Sequence, residues 1–124
     1  MSGQSFGRDK RIPDKITYQR VFDNASKRLS HKNYLILVRR NVGGGARLGL
    51  VIGKRSVPTA VNRNRVKRLV RESFRRHWSR LPSVDVIFLA RAGVNHSTHQ
   101  LCKQLSGDWI VLADSFKETG GNDS

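Results

Sequence analysis

Between Gly53 and Arg80 the chain carries ten Lys and Arg residues and a single acid, Glu72. Like charges at i,i+4 on a helix cost a few tenths of a kcal/mol, roughly, so such a segment folds only if its apolar residues share one side. They do. Val66, Leu69, Val70, Ser73, Phe74, His77 and Trp78 recur at helical spacing, which predicts a helix from Val61 to Trp78 with this stripe buried. Asn64, Arg68, Arg71 and Arg75 then fall together on the opposite side as a basic ridge on a rigid rod. Soluble helices intersperse both signs, and one that does not points to a polyanion. Eight of the ten cations are arginines, whose planar fork suits bidentate phosphate contacts. Asn62 and Asn64 flank Arg63 near the helix start, where free backbone N–H groups can hold phosphate; either could equally be an N-cap.

The charge is confined to one part of the chain. Residues 1–80 hold 21 basic and 4 acidic residues, whereas residues 81–124 hold 3 and 5. A net charge of +15 on 124 residues implies a nucleic-acid partner. No apolar run is long enough for a membrane span, and the N-terminal MSGQSFGRDKRIPDK lacks the apolar core of a secretory signal. Cys102 is the only cysteine, which excludes an intrachain disulfide and a cysteine-built metal site. The expectation is a cytoplasmic protein with one RNA-binding domain over residues 11–116, between flexible ends at 1–10 and 117–124.

The elements follow from periodicity. In residues 16–28, Tyr18, Val21, Phe22 and Ala25 share a helical face, with Asp14 or Thr17 to cap the start. Residues 33–39 and 47–52 read as strands joined through the glycine-rich 41–46 turn, and together predict a hairpin. Residues 53–59, with Pro58, predict a loop or edge segment. In Asp85–Arg91, Val86, Phe88 and Ala90 alternate with Ile87 and Leu89, apolar on both faces as a central strand requires. A final helix from Ser97 to Phe116 presents Leu101, Leu105, Trp109 and Leu112, with Gly107 weakening its middle. The class expected is α+β, in the order α-β-β-β-α-β-α.

A second group of candidates is aromatic. Tyr18, Phe22 and Tyr34 lie amid Arg20, Lys27, Arg28 and Lys32. Each ring alone could be core; together they also fit a groove in which bases stack while cations take the backbone. Catalysis by the protein itself is poorly supported. Acids are sparse, no carboxylate pair has metal-clamping spacing, and His96, His99 and Cys102 are a weak match to a metal site. No metal ligand and no catalytic residue is expected. Two other classes share the charge and size: a plain RNA-binding module of ribosomal or chaperone type, and a stand-alone metal-dependent nuclease. A magnesium titration of the protein with single-stranded RNA alone would test the second.

These residues resemble the protein subunit of bacterial ribonuclease P. The diagnostic run is RLGLVIGKRSVPTAVNRNRVKRLVRESFR at 47–75, with Arg63-Asn64-Arg65, Lys67-Arg68 and Arg71-Glu72; TYQRVF at 17–22 and VDVIFLARAG at 84–93 flank it. The likeness spans about residues 10–115. It implies a two-layer α/β sandwich like the second domain of ribosomal protein S5, a small mixed sheet with a left-handed β-α-β crossover through the signature helix. The general rule would predict a right-handed one. It implies that an RNA subunit, using magnesium, is the catalyst that removes the 5′ leader of precursor tRNA, and that one protein per RNA assists without an organic cofactor. Arg63, Asn64, Arg65, Lys67, Arg68, Arg71 and Arg75 would face the ribozyme RNA. Tyr18, Phe22, Tyr34, Lys54 and Arg55 would line the leader cleft. The first aromatic position is often phenylalanine in the family, so Tyr18 adds a hydroxyl. Residues 41–46 match no signature.

Overall fold

The most apolar strand of the chain takes the middle of the sheet. In the computed structural model, which describes residues 10–41, 43 and 45–122 and side-chain surroundings through Ser115, the elements are α1 (Lys15–Asn24), β1 (Lys27–Ser30), β2 (Tyr34–Arg40), β3 (Arg47–Val51), α2 (Ala60–His77), a 3-10 turn (Trp78–Arg80), β4 (Val84–Ala90) and α3 (Thr98–Asn122). The sheet order is β1-β2-β4-β3. β4 is antiparallel to β2 and parallel to β3, so the sheet is mixed and β3-α2-β4 is a parallel crossover unit. The class is α+β, as expected.

Several expectations need correction. Strands β2 and β3 do not form a hairpin, because β4 lies between them. β4 is apolar on both faces apart from Asp85, and the sheet's centre is where such a strand loses most contact with water. The third strand before α2 is Lys27–Ser30, not the 53–59 segment, which forms a turn. The first helix ends at Asn24 because Ala25 is extended, at φ −61° and ψ 129°, and the chain turns into β1. Asp14, rather than Thr17, caps it, accepting from Thr17 N at 2.8 Å. At the other end, α3 runs through Asn122, past the expected end at Phe116. The segment 1–10 lies, apart from Lys10, outside the described residues.

Helices cover both faces of the sheet, so the two-layer description is also corrected. On one face Tyr34, Ile36, Val38, Val86 and Phe88 meet Val66, Val70 and Phe74 of α2 and Leu101, Leu105, Trp109 and Leu112 of α3. On the other, Leu35, Leu37 and Ile87 meet Val21 of α1 and Ile12. The alternation predicted for β4 is what divides its side chains between these clusters. Trp109 ties α3 to α2 by donating Nε1–H to Ser73 Oγ at 2.8 Å, and its ring meets Phe74 edge-on.

The glycine-rich turn is held by β4. Buried Asp85 accepts from Arg47 Nε and Nη2 at 2.7 and 2.8 Å and from Asn41 Nδ2 at 3.0 Å. Trp78 donates Nε1–H to Ala46 O at 2.8 Å, and its ring would lie 2.8 Å from a Cβ on Gly45, whose φ is +92°. Both the backbone and the tryptophan therefore require glycine there.

Candidate nucleic-acid interface

Thr59 caps α2, accepting from Asn62 N, so neither Asn62 nor Asn64 is the N-cap. The first turn holds no acid, which leaves the helix's positive end unneutralised. Asn64, Arg65, Arg68 and Arg75 are exposed, and Arg65, Asn64 and Arg68 surround exposed Val61 in a shallow hollow of about 290 Å³. Of the ridge predicted from spacing, Asn64, Arg68 and Arg75 lie exposed on the side of α2 away from Val66, Val70, Ser73 and Phe74, but Arg71 is half-buried and leaves it.

Arg63 differs from its neighbours. Its Nη1 donates to the carbonyls of Val57 and Pro58, both at 2.9 Å, and so staples the preceding turn to the first turn of the helix. That turn presents Lys54 and Arg55, both exposed, and is anchored below by buried Val57. Ser56 Oγ donates to Ala90 O at 3.1 Å, which fixes the turn against the end of β4.

Arg71 and Lys67 point elsewhere. With Arg11, Ile12, Tyr18, Leu48 and Leu50 they line a hollow of about 150 Å³ at the edge of β3, where α1 and α2 meet. Burial there, and then the charge of Arg11, pull the Arg71 guanidinium below its ordinary value; an arginine remains a cation all the same. The edge of β3 is closed by its neighbours. Ile12 N donates to Leu48 O at 3.1 Å, and Leu50 N donates to the Tyr18 hydroxyl at 3.2 Å. The hydroxyl that distinguishes Tyr18 from phenylalanine thus fills an open strand donor. Its ring lies on Gly49, where a Cβ would come within 2.7 Å of Cζ.

The three aromatic candidates are not brought together. Tyr18 and Phe22 share a helical face of α1, and Phe22 is 40% exposed. Tyr34 is fully buried on the opposite side of the sheet, stacked on Phe88 with its hydroxyl donating to Asp108 Oδ2 at 2.6 Å. It cannot line a cleft with the other two and is withdrawn from that set. The tyrosine was read as the start of a strand, but the face it takes depends on strand register. Burial and the bond to Asp108 hold its hydroxyl far above the ordinary tyrosine range.

Register also places Arg28, read from the sequence only as part of a basic surround, and adds Ser30, which the sequence reading missed. Arg28 and Ser30 pair with Leu37 and Leu35, so they share the α1 side of the sheet, and both are exposed. Val51 and Leu89 pair on that same side and are only partly buried. Arg91 closes the end of this strip through Nη1, which donates to Ser30 Oγ at 3.1 Å and His31 O at 2.7 Å. The alternation in 47–52 and 85–91 was visible, but which parity meets α1 was not. Among the described residues, no group of three or more His, Cys, Asp and Glu is placed to hold a metal, and no helix is long and apolar enough to cross a membrane.

The site thus offers an exposed cationic helix face, a basic turn stapled to it, and a partly apolar strip beside a helix bearing Tyr18 and Phe22. Phosphates suit the first two, and unpaired bases suit the third. Comparison with known proteins places the chain in a family. A family model described as Ribonuclease P matches residues 6–111. The ribonuclease P protein component of Chromohalobacter salexigens is 48% identical over 119 residues, 95% of this chain and 93% of that protein. The corresponding protein of Pseudomonas entomophila is 45% identical over 104 residues, 81% of this chain and 78% of that one. Among solved structures, the RNase P protein from Thermotoga maritima in complex with 1-(4-fluorophenyl)-2-thiourea superimposes with a TM-score of 0.70 at 25% identity, covering 83% of this chain and 97% of that one. Sequence, family model and fold agree: the chain belongs to the bacterial ribonuclease P protein family.

Proposed function

We propose that the basic face of α2 and the open strip beside α1 hold two RNAs against each other. The chain is the protein subunit of ribonuclease P, whose catalytic RNA removes the 5′ leader of precursor tRNA while the protein assists. On this reading Arg63, Asn64, Arg65, Lys67, Arg68, Arg71 and Arg75 face the ribozyme RNA. Tyr18, Phe22, Lys54 and Arg55, joined by Arg28 and Ser30, take the leader. The observation that carries it is the hollow at the edge of β3, which Tyr18 of α1 shares with Lys67 and Arg71 of α2. An RNA on α2 and a single strand beside α1 would meet there, with cations offsetting the repulsion between their phosphates. The protein's part is positional: a leader held extended keeps the scissile phosphate in register with the ribozyme.

The remaining parts of the reading follow from the family. The β3-α2-β4 crossover is left-handed, as in the second domain of ribosomal protein S5. Magnesium is held mainly by the RNA. One protein serves each RNA subunit, in the cytoplasm, and no organic cofactor is needed.

The test is cleavage of 5′-labelled precursor tRNA at low magnesium by protein alone, RNA subunit alone, and both. Product should form only, or far faster, with both; cleavage by repurified protein alone would overturn the reading. Arg65→Ala with Arg68→Ala should lower the salt slope of ribozyme binding by about 0.9 per lost phosphate contact. Phe22→Ala should weaken leader-bearing substrates by about 1–3 kcal/mol relative to mature tRNA. Equal losses on both substrates would remove Phe22 from the cleft.

A further inference from the structure

At the end of the sheet where β2 begins and β4 ends, a hollow of about 360 Å³ opens on the side away from α1. Tyr34, Val94 and Leu101 back it, all three buried. That backing is rigid, because Tyr34 is stacked on Phe88 at 5.1 Å and bonded to Asp108, whose carboxylate also takes His31 Nε2 at 3.0 Å. The walls are polar: Lys32, Asn33, His96, Gln100 and Gln104, with no Asp or Glu among the lining residues. Ser97, which accepts from Gln100 N, brings the amino end of α3 to the rim.

The chemistry of these walls is specific. Asn33 uses Nδ2 on Gly93 O at 3.3 Å, but the side chains of Lys32, Gln100 and Gln104 have no hydrogen-bond partner among the described residues. Two free amides present both donors and acceptors, as the edge of a nucleobase requires. A free ammonium and a helix amino end next to them suit a phosphate. The hollow lies close in the chain to the interface described above: Arg91, bonded to Ser30 Oγ and His31 O, precedes the lining residue Ala92, and the Lys54–Arg55 turn is fixed to Ala90 through Ser56.

We propose that this hollow is a nucleotide subsite for single-stranded RNA, with the base edge against Gln100 and Gln104 and its phosphate toward Lys32. The proposal rests on the reading that this chain works on RNA, and adds a contact on the opposite side of the sheet from α1. The same chemistry would be offered by a leader nucleotide that has passed over Arg91 or by an unpaired nucleotide of the RNA subunit.

The experiment uses the reconstituted ribonucleoprotein carrying Gln100→Ala with Gln104→Ala, or Lys32→Ala, on precursor tRNAs of increasing leader length, beside binding of the same proteins to the RNA subunit across a salt series. A loss of about tenfold in affinity that appears only with longer leaders supports the subsite and assigns it to the leader. A similar loss for the RNA subunit, equal for all leaders, supports it and assigns it to the ribozyme. In either case Lys32→Ala should reduce the salt slope by about 0.7, and Lys32→Arg should restore it. Wild-type behaviour of all variants in both assays would overturn the proposal. Phe22→Ala run in parallel separates the two claims: if it alone responds, the cleft survives and the subsite falls; if only the hollow variants respond, the reverse holds. These side chains are exposed or half-buried and outside both cores, so thermal unfolding should match wild type.

Discussion

The two faces of one sheet are treated very differently. Among the described residues, the face under α2 and α3 gathers nineteen buried hydrophobic residues, including Trp109, Phe74 and Phe88, whereas the face under α1 gathers five. The first is sealed by two long helices. The second is covered by one helix of 10 residues, which leaves Val51 and Leu89 partly open beside Arg28 and Ser30. A small domain has limited apolar surface to bury, and concentrating it on one side frees the other to meet a ligand. The open strip beside α1 is thereby separated from the larger core by the thickness of a sheet.

That separation can be broken in order of effect. Trp109→Ala should cost about 3–5 kcal/mol, since it empties a fully buried site and orphans the Ser73 hydroxyl; urea denaturation measures it. Leu89→Ala, one layer away, should cost about 1 kcal/mol. If the two losses were equal, the α1 face would be core and not an open strip. Gly107→Ala should stabilise by about 0.5–1 kcal/mol, because the position is exposed in α3 and an added Cβ meets open space. A destabilised protein in the same denaturation series would show that the helix bends or is contacted there.

The smallest effect concerns the start of α1. Bonds from the backbone and hydroxyl of Thr17 hold the Asp14 carboxyl below its ordinary value of 3.8. A carboxylate depressed in the folded state contributes stability that is present above the ordinary value and lost as pH falls through the folded one. The difference in melting temperature between wild type and Asp14→Ala should therefore be constant near neutrality and shrink below about pH 4. A difference independent of pH would mean that the cap acts through packing alone.

How much of this was legible in the sequence depends on the range of the interaction concerned. α2 was readable within a few residues at each end, because a helix is closed by neighbours three and four positions away and its apolar stripe is local. The arginine ridge came with it, except for Arg71. The pairing of β2 with β4 was not readable: the glycine turn at 41–46 looks like a hairpin turn from the local chain, and only competition with a strand forty residues on places β4 between β2 and β3. The same blindness put Tyr34 among the stacking residues. Its ring is apolar on one side and hydroxylated on the other, and nothing near it in sequence announces Asp108, its partner 74 positions away.

Arg63 shows the limit from another direction. It sits in the signature as an arginine among arginines, yet its Nη1 holds the carbonyls of Val57 and Pro58 and so positions the turn bearing Lys54 and Arg55. Charge in a sequence tells what a residue offers, not which partner reaches it first.

By itself the sequence determined that this chain carries a cationic, acid-poor helix, one central strand and a family signature, since composition, period and motif are properties of the chain alone. Tertiary structure alone decided which cations face outward, which tyrosine is buried and which side of the sheet stays open. Those depend on strand order and register, where shifting by one residue exchanges the two faces.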